Sequence, residues 1–312
     1  MTSNNRRIAA IDLGSNSFHL LLAEMVTRGG VDFPRIIKRV KQKVRLADGF
    51  DASRNISQQG IDRAKACLNL FHDEIVQFGA STVKAVATAA MRQANNQSDV
   101  LLALETALKF PIEIISGLRE AELIYAGVTS TARSRGDTLV IDIGGASTEI
   151  IAGHDKTPQL LHSFDMGCVV FQNNYFPEGI ITRSRIESAQ AQVRNQLSHY
   201  QHAFKRLGWK RVIGASGTFR AVYEIAQANQ QDTIDSDYLT SLVSKCIQSG
   251  AVKNLALLGL REDRKPIFLG GLVILATLVE QLGINAIEIT NGALREGLLA
   301  EISQPNEQLA LR

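Results

Sequence analysis

The chain has 312 residues, of which 45% are hydrophobic and 21% charged, with a formal net charge of +3 and a pI near 8.8. That is the size and composition of two ordinary globular domains, which excludes a disordered or low-complexity chain. Three scattered cysteines, Cys67, Cys168 and Cys246, with no CxxC pair, argue against a disulfide framework or a zinc site and suit a reducing, cytoplasmic compartment.

From the N-terminus, residues 1–7 are polar and carry no apolar core of a signal peptide. Residues 8–24, IAAIDLGSNSFHLLLAE, read as a β-hairpin: an apolar strand, an Asp, a Gly two residues later, a turn of small residues, then a second apolar strand. A third strand is expected at Arg35–Val40. A helix follows from about Ser57 to Phe78, with Ile61, Ala64, Leu68, Phe71, Ile75 and Phe78 at alternating spacings of three and four and Gly79 as its stop. Strand Val83–Ala87, helix Ser98–Lys109 and strand Ile112–Ile115 complete a first α/β unit.

The pattern then recurs. Residues 139–154, LVIDIGGASTEIIAGH, repeat the hairpin. Strand Gln159–Asp165 comes next. Thr182 is placed to cap a helix carrying Ile186, Ala189, Val193, Leu197 and Tyr200. Strand Val212–Ile213, helix Thr218–Asn229, a buried apolar helix over Phe268–Val279 and a late strand Ala286–Ile289 follow. The apolar helix is shorter than the ~20 residues needed to span a bilayer. Two related domains are expected, 1–124 and 125–312, with a last helix near 293–312 that crosses back onto the first.

The two turns carry the chemistry. In the first, Gly14 permits close approach to a ligand, and Ser15, Asn16 and Ser17 add short donors. Gly144, Gly145, Ala146 and Ser147 do the same in the second. Successive backbone N–H groups in such turns form anion-binding concavities. Asp12 and Asp142 end the strands that lead into them, and Glu149 lies on the strand leaving the second. Carboxylates so placed suit Mg²⁺. The sequence GASGT at 214–218 stands between a strand and a helix, where N–H groups bind anions. Gly270 and Gly271 read either as site residues or as a close helix contact. Glu120, just inside a helix at the domain boundary, either favours the helix dipole or, if a cleft lies there, serves as a general base for water. Arg92, beyond a strand, is a candidate phosphate clamp. Basic residues cluster at Arg35, Lys38, Arg39, Lys41, Lys43 and Arg45, at 205–211, and at Arg261, Arg264 and Lys265; a polyanionic partner or plain solvated charge accounts for them. The six histidines show no ligand spacing, and there is no P-loop lysine motif and no HExxH.

Taken together, the sequence resembles the exopolyphosphatase / guanosine pentaphosphate phosphohydrolase family of the actin–Hsp70–sugar-kinase superfamily. The residues that carry this are DLGSNSFHLLLA at 12–23, VKQKVRLADG at 40–49, TAAMRQA at 88–94, EIISGLREAELIYAGV at 113–128, VIDIGGASTEI at 140–150, GASGT at 214–218, DRKPIFLGGLVIL at 263–275 and GALREGLL at 292–299. The resemblance implies two ribonuclease-H-like domains with an active-site cleft between them. It implies Glu120 as the base that activates water and Asp142 and Glu149 as the acids that position Mg²⁺ or water. Its phosphate cradle falls on Gly14–Ser17, Gly144–Ser147, Gly217 and Thr218, with Arg92 and Arg264 as phosphate-binding cations. The chain departs from the family's pattern at Ala146, where glycine is common, and at Arg119, where an acid is common. It also lacks the helical C-terminal region of longer relatives.

The activity implied is removal of terminal phosphate from inorganic polyphosphate, with guanosine pentaphosphate as the alternative substrate. Neither nucleic acid nor membrane is implied as a partner, and a homodimer is compatible with the pattern. An ATP-dependent kinase or ATPase on the same fold, and a sensor without turnover, are the readings from other classes; fold alone does not decide among them.

Overall fold

The computed structural model describes residues 6–28, 31–51, 53–131 and 136–303. It divides into two compact units, residues 1–131 with 292–312, and residues 132–291.

The first unit opens with strands β1 (Arg7–Leu13), β2 (Ser17–Arg28) and β3 (Val31–Lys43). It continues with helix α1 (Gln58–Phe78), β4 (Thr82–Ala87), helices α2 (Ala89–Gln93) and α3 (Gln97–Leu108), β5 (Ile112–Ile114) and α4 (Gly117–Thr131). The sheet order is β3-β2-β1-β4-β5. β1 is antiparallel to β2 and β2 to β3, whereas β1–β4 and β4–β5 are parallel. Side chains alternate across a strand, so one sheet face carries Ala9, Ile11, Leu13, Phe18, Leu20 and Leu22. These join Ala64, Leu68, Phe71 and Ile75 of α1 in the core. Ser57 caps α1 by accepting from the Gly60 N–H (3.3 Å), and Gly79 ends it with φ +72°.

The second unit repeats this order with β6 (Asp137–Ile143), β7 (Thr148–His154), β8 (Thr157–Phe164), α5 (Cys168–Tyr175), α6 (Arg183–Leu207), β9 (Arg211–Ala215), α7 (Ser216–Ala228), α8 (Ser236–Ser249), α9 (Lys265–Leu282) and β10 (Glu288–Ile289). Its sheet order is β10-β9-β6-β7-β8, with the same parallel and antiparallel senses. Each unit is therefore a five-stranded sheet of ribonuclease-H-like topology, and the fold is that unit duplicated. Thr182 caps α6 through its hydroxyl to the Arg185 N–H. α9 is long and apolar enough to cross a membrane, but 72% of it is buried inside the protein, among the core of this unit.

The last helix, α10 (Leu294–Ser303), belongs to the first unit and packs on α4. The two backbones touch: a Cβ added at Gly127 would collide with the Ala293 carbonyl, and one at Gly297 with the Leu123 carbonyl. α4 runs unbroken through residues 123–129, so the division between units falls at its end, Thr131. Residues 1–5 and 304–312, read above as a polar N-terminus and the end of the last helix, lie outside the described residues.

Several elements differ from the expectation. β3 is longer at both ends because it pairs with the whole of β2, from Ser17↔Lys43 to Arg28↔Val31. α7 begins at Ser216, inside the GASGT segment. α2, α5 and α8 were not anticipated. α8 nevertheless carried an N-cap signal, since Asp235 accepts from the Tyr238 N–H at 2.9 Å.

Candidate active site

In the first unit, β1 runs into the turn Gly14–Asn16. A Cβ at Gly14 would sit 3.0 Å from the Ser17 carbonyl, so only glycine fits comfortably. The far side of the turn is tied down: the Asn16 carbonyl accepts from the N–H groups of Val44 (3.2 Å) and Arg45 (2.9 Å), and the Ser15 carbonyl from Ala47 (2.9 Å). The buried Ser15 hydroxyl accepts from the Ala90 N–H at the start of α2 (3.2 Å). α2 thereby brings Arg92 to α4. Arg92 donates to the Ile115 carbonyl (3.0 Å) and to Oε2 of Glu120 (2.7 Å). Glu120 occupies the first turn of α4, where the helix dipole favours an anion. It is only 7% exposed. Burial pushes its pKa above the ordinary carboxylate value, while Arg92 pulls it down.

In the second unit, the turn closes with the Gly144 N–H on the Ser147 carbonyl at 2.9 Å. The start of α5 lies directly against it. Cys168 N–H donates to the Gly144 carbonyl (2.9 Å), and Val169 and Val170 donate to the Gly145 carbonyl (2.9 and 3.3 Å). Gly167 is required there, since a Cβ would strike the Gly145–Ala146 peptide. The Gly144 and Gly145 carbonyls are thus taken by the first N–H groups of α5. The N–H groups of Gly145, Ala146 and Ser147 are taken by no backbone carbonyl among the described residues, which is the arrangement of an anion-binding nest.

Beside this turn, Asp142 and Glu149 face each other as register partners on β6 and β7. They are 8% and 1% exposed. Ser163, the register partner of Glu149 on β8, donates its hydroxyl to Glu149 Oε1 at 2.7 Å. On the other flank, Ala215 pairs with Asp142, so α7 starts next to the acid pair. Ser216 has φ +81°, and its buried Oγ has no hydrogen-bond partner among the described residues. A Cβ at Gly217 would collide with the Arg264 guanidinium, which therefore lies over the Gly217 backbone. A Cβ at Gly271 would lie 2.7 Å from Thr218 Oγ1, and Gly270 abuts Cys168 and Gln172; both glycines serve close packing of α9. Among the described residues no group of three or more His, Cys, Asp or Glu could hold a metal. Two buried carboxylates remain, which suits Mg²⁺, an ion that keeps several waters and takes one or two carboxylates plus substrate phosphates.

The comparison that decides the family is the profile of the Ppx/GppA phosphatase family, which matches residues 25–305. The chain belongs to this family. It is 38% identical over 309 residues to a Haemophilus influenzae protein provisionally named an exopolyphosphatase, covering 98% of this chain and 94% of that one. It is 40% identical over 297 residues to a guanosine-5'-triphosphate,3'-diphosphate pyrophosphatase of Aeromonas hydrophila, covering 95% of this chain but only 59% of that protein's length. The crystal structure of an exopolyphosphatase from Cytophaga hutchinsonii superposes with a TM-score of 0.83 at 23% identity, covering 95% and 97% of the two chains; an Aquifex aeolicus PPX-GPPA enzyme gives 0.75 at 21%, covering 95% and 99%. These two likenesses speak for the fold.

As a Ppx/GppA phosphatase, the chain hydrolyses phosphoanhydride bonds, and the site residues read from sequence fall into two groups. Gly14, Ser15, Asn16, Ser17, Arg92 and Glu120 lie in the first unit. Asp142, Gly144, Gly145, Ala146, Ser147, Glu149, Gly217, Thr218 and Arg264 lie in the second. Sequence reasoning did not single out Ser163, and it named Ser216 only as part of the GASGT turn. The basic stretches are more occupied than expected. Arg35 pairs with Glu24 (2.7 Å), Lys38 with Glu74 (2.5 Å) and Arg39 with Glu296 (2.6 Å). Arg261 pairs with Asp263 (3.0 Å) and Lys265 with Glu262 (2.7 Å), whereas Arg264 has no carboxylate partner among the described residues.

Proposed function

We propose that the protein is an exopolyphosphatase that hydrolyses the terminal phosphate of inorganic polyphosphate and releases orthophosphate. The observation that carries this reading is the nest at Gly145–Ser147, whose N–H groups no backbone carbonyl among the described residues takes, beside the buried pair Asp142 and Glu149. It supplies fixed donors for phosphoryl oxygens and hard ligands for a divalent cation at the same strand ends. Phosphoryl transfer needs mainly positioning and neutralisation of charge. Glu120 accepts the proton of the attacking water, Arg92 and Arg264 bind phosphate oxygens, and the Gly14–Ser17 and Gly217–Thr218 backbones hold the chain of phosphates. Asp142 and Glu149 would hold Mg²⁺, which would supply charge neutralisation on the transferring group. Three free, buried cysteines accord with a reducing cytoplasmic setting.

A second reading, hydrolysis of the 5′-terminal phosphate of guanosine pentaphosphate, is favoured by the relatives named for that substrate at 40% identity. The chemistry is the same. A phosphate-release panel with polyphosphate, guanosine pentaphosphate and ATP at fixed free Mg²⁺ decides. The proposal expects turnover of polyphosphate with a KM that rises with salt more steeply than that for guanosine pentaphosphate, since more cation–phosphate contacts are screened. A KM for guanosine pentaphosphate far below that for polyphosphate at every salt makes the second reading the better one. Turnover of ATP alone, or of nothing, refutes both.

A further inference from the structure

Asp142, Glu149 and Ser163 form one row across β6, β7 and β8, each the register partner of the next. The first unit has the same topology, and the same three places hold Asp12, His19 and Lys41. That row is acid, imidazole and ammonium, with Arg295 of α10 donating to His19 Nδ1 at 2.6 Å. The second row is acid, acid and hydroxyl. The duplicated fold thus puts one cation, Lys41, at the place where the second unit has Ser163.

Like charges directly opposite on neighbouring strands destabilise a sheet. Glu149, at 1% exposure, has little recourse to water. Its side chain needs a donor, and the kind of donor decides what the acid pair can do. An ammonium in the third place would neutralise Glu149 and compete with a divalent ion. A hydroxyl donates a hydrogen bond and leaves the charge in place. The Ser163 hydroxyl does this to Oε1 at 2.7 Å, which fixes the carboxylate's orientation from the β8 side. We infer that Ser163 is the positioning residue for Glu149, holding it as an anionic ligand for the divalent cation. This rests on the reading that Asp142 and Glu149 bind that ion. It assigns Ser163 no contact with substrate.

The test compares Ser163→Thr with Ser163→Val in the full chain. The two substitutions have the same shape and both suit a strand, so they differ in the hydroxyl alone. Ser163→Ala is the simple deletion. Mn²⁺ binding to the metal-stripped protein is read by electron paramagnetic resonance of the free ion, and half-saturating Mg²⁺ by phosphate release from polyphosphate. Groups that orient a metal ligand typically change affinity by about 10–100-fold. Ser163→Val is therefore expected to weaken Mn²⁺ binding at least about tenfold relative to Ser163→Thr, with Ser163→Thr close to wild type and half-saturating Mg²⁺ shifted in parallel. Equal Mn²⁺ affinity of the Thr and Val variants overturns the inference. Glu149→Gln separates the two levels of the argument. If it weakens binding while Val and Thr remain equal, only the role of Ser163 fails. If Glu149→Gln binds Mn²⁺ as tightly as wild type, the metal reading fails and takes this inference with it.

Discussion

Replacing Arg92 by alanine leaves Glu120 a buried carboxylate without the guanidinium that now sits 2.7 Å from it. The side chains are 21% and 10% exposed, so solvent screens the pair little. An opposite charge this close lowers a carboxylate pKa by about 1–3 units, each worth about 1.4 kcal/mol. In the wild type burial still dominates and the pKa lies above the usual value. In the proposed mechanism Glu120 is the general base and works when deprotonated, so the acid limb of kcat/KM is expected above the ordinary carboxylate range. Removing Arg92 takes away the charge and hydrogen bond that hold it down, and so moves it further up. Arg92→Lys keeps a cation and shifts it less. The assay is kcat/KM for polyphosphate across roughly pH 5–9 at fixed free Mg²⁺, where such limbs report the free enzyme's ionisations. KM also rises, because Arg92 binds phosphate in the proposed mechanism, but a KM effect alone is independent of pH. An Arg92→Ala limb that coincides with the wild-type limb refutes the idea that this ion pair sets the ionisation of Glu120.

Glu120→Gln is expected to lose about 10²–10⁴-fold in kcat while still binding substrate, checked by steady-state kinetics and a binding titration. The same variant reports linkage: a raised folded pKa means that the native state holds a proton the unfolded state has lost. Wild-type stability relative to Glu120→Gln therefore falls as pH rises from the ordinary carboxylate pKa through the folded one, which thermal melts at several pH values check. Asp142→Asn and Glu149→Gln should each raise half-saturating Mg²⁺; unchanged values in both remove these residues from the metal site. Gly127→Ala forces α10 off α4 and should destabilise by about 1–3 kcal/mol or more, read by urea unfolding. Burial pushes the thiols of Cys67 and Cys246 up to about 12 and that of Cys168 to about 11, so iodoacetamide at pH 8 should label none of the three in folded protein and all three in urea.

What was legible in the sequence was local or periodic. The hairpins at Asp12 and Asp142, the face of α1 and the caps at Thr182 and Gly79 follow from alternation, spacing and turn residues within one element. The acid pair was nameable because Asp142 and Glu149 share one short hairpin. What was hidden depends on contacts between distant segments. Ser163 meets Glu149 only through the register of β8, which shifts between Ala152 and Gly153, so counting residues along the chain misplaces it. Arg92 was read as a phosphate clamp, and its bond to Glu120, 28 residues on, requires α2 and α4 to converge. The basic run on β3 looked like free positive charge because its acidic partners Glu24, Glu74 and Glu296 lie elsewhere in the chain. α5 gave no periodic signal, yet its first N–H groups are the ones that take up the Gly144 and Gly145 carbonyls.

The return of α10 to the first unit has a consequence for how the protein is made. The second unit is encoded in one continuous stretch, residues 132–291, whereas the first needs the segment that begins at Gly292. On the ribosome, α4 emerges early with Gly127 and Leu123 facing a partner that has not yet been synthesised. At about 5–20 residues per second, the wait is on the order of ten seconds or more. The second unit can close on itself during that interval, and the first cannot. The length of the second unit thus sets how long the α10 seat stays bare to chaperones and proteases in each nascent chain.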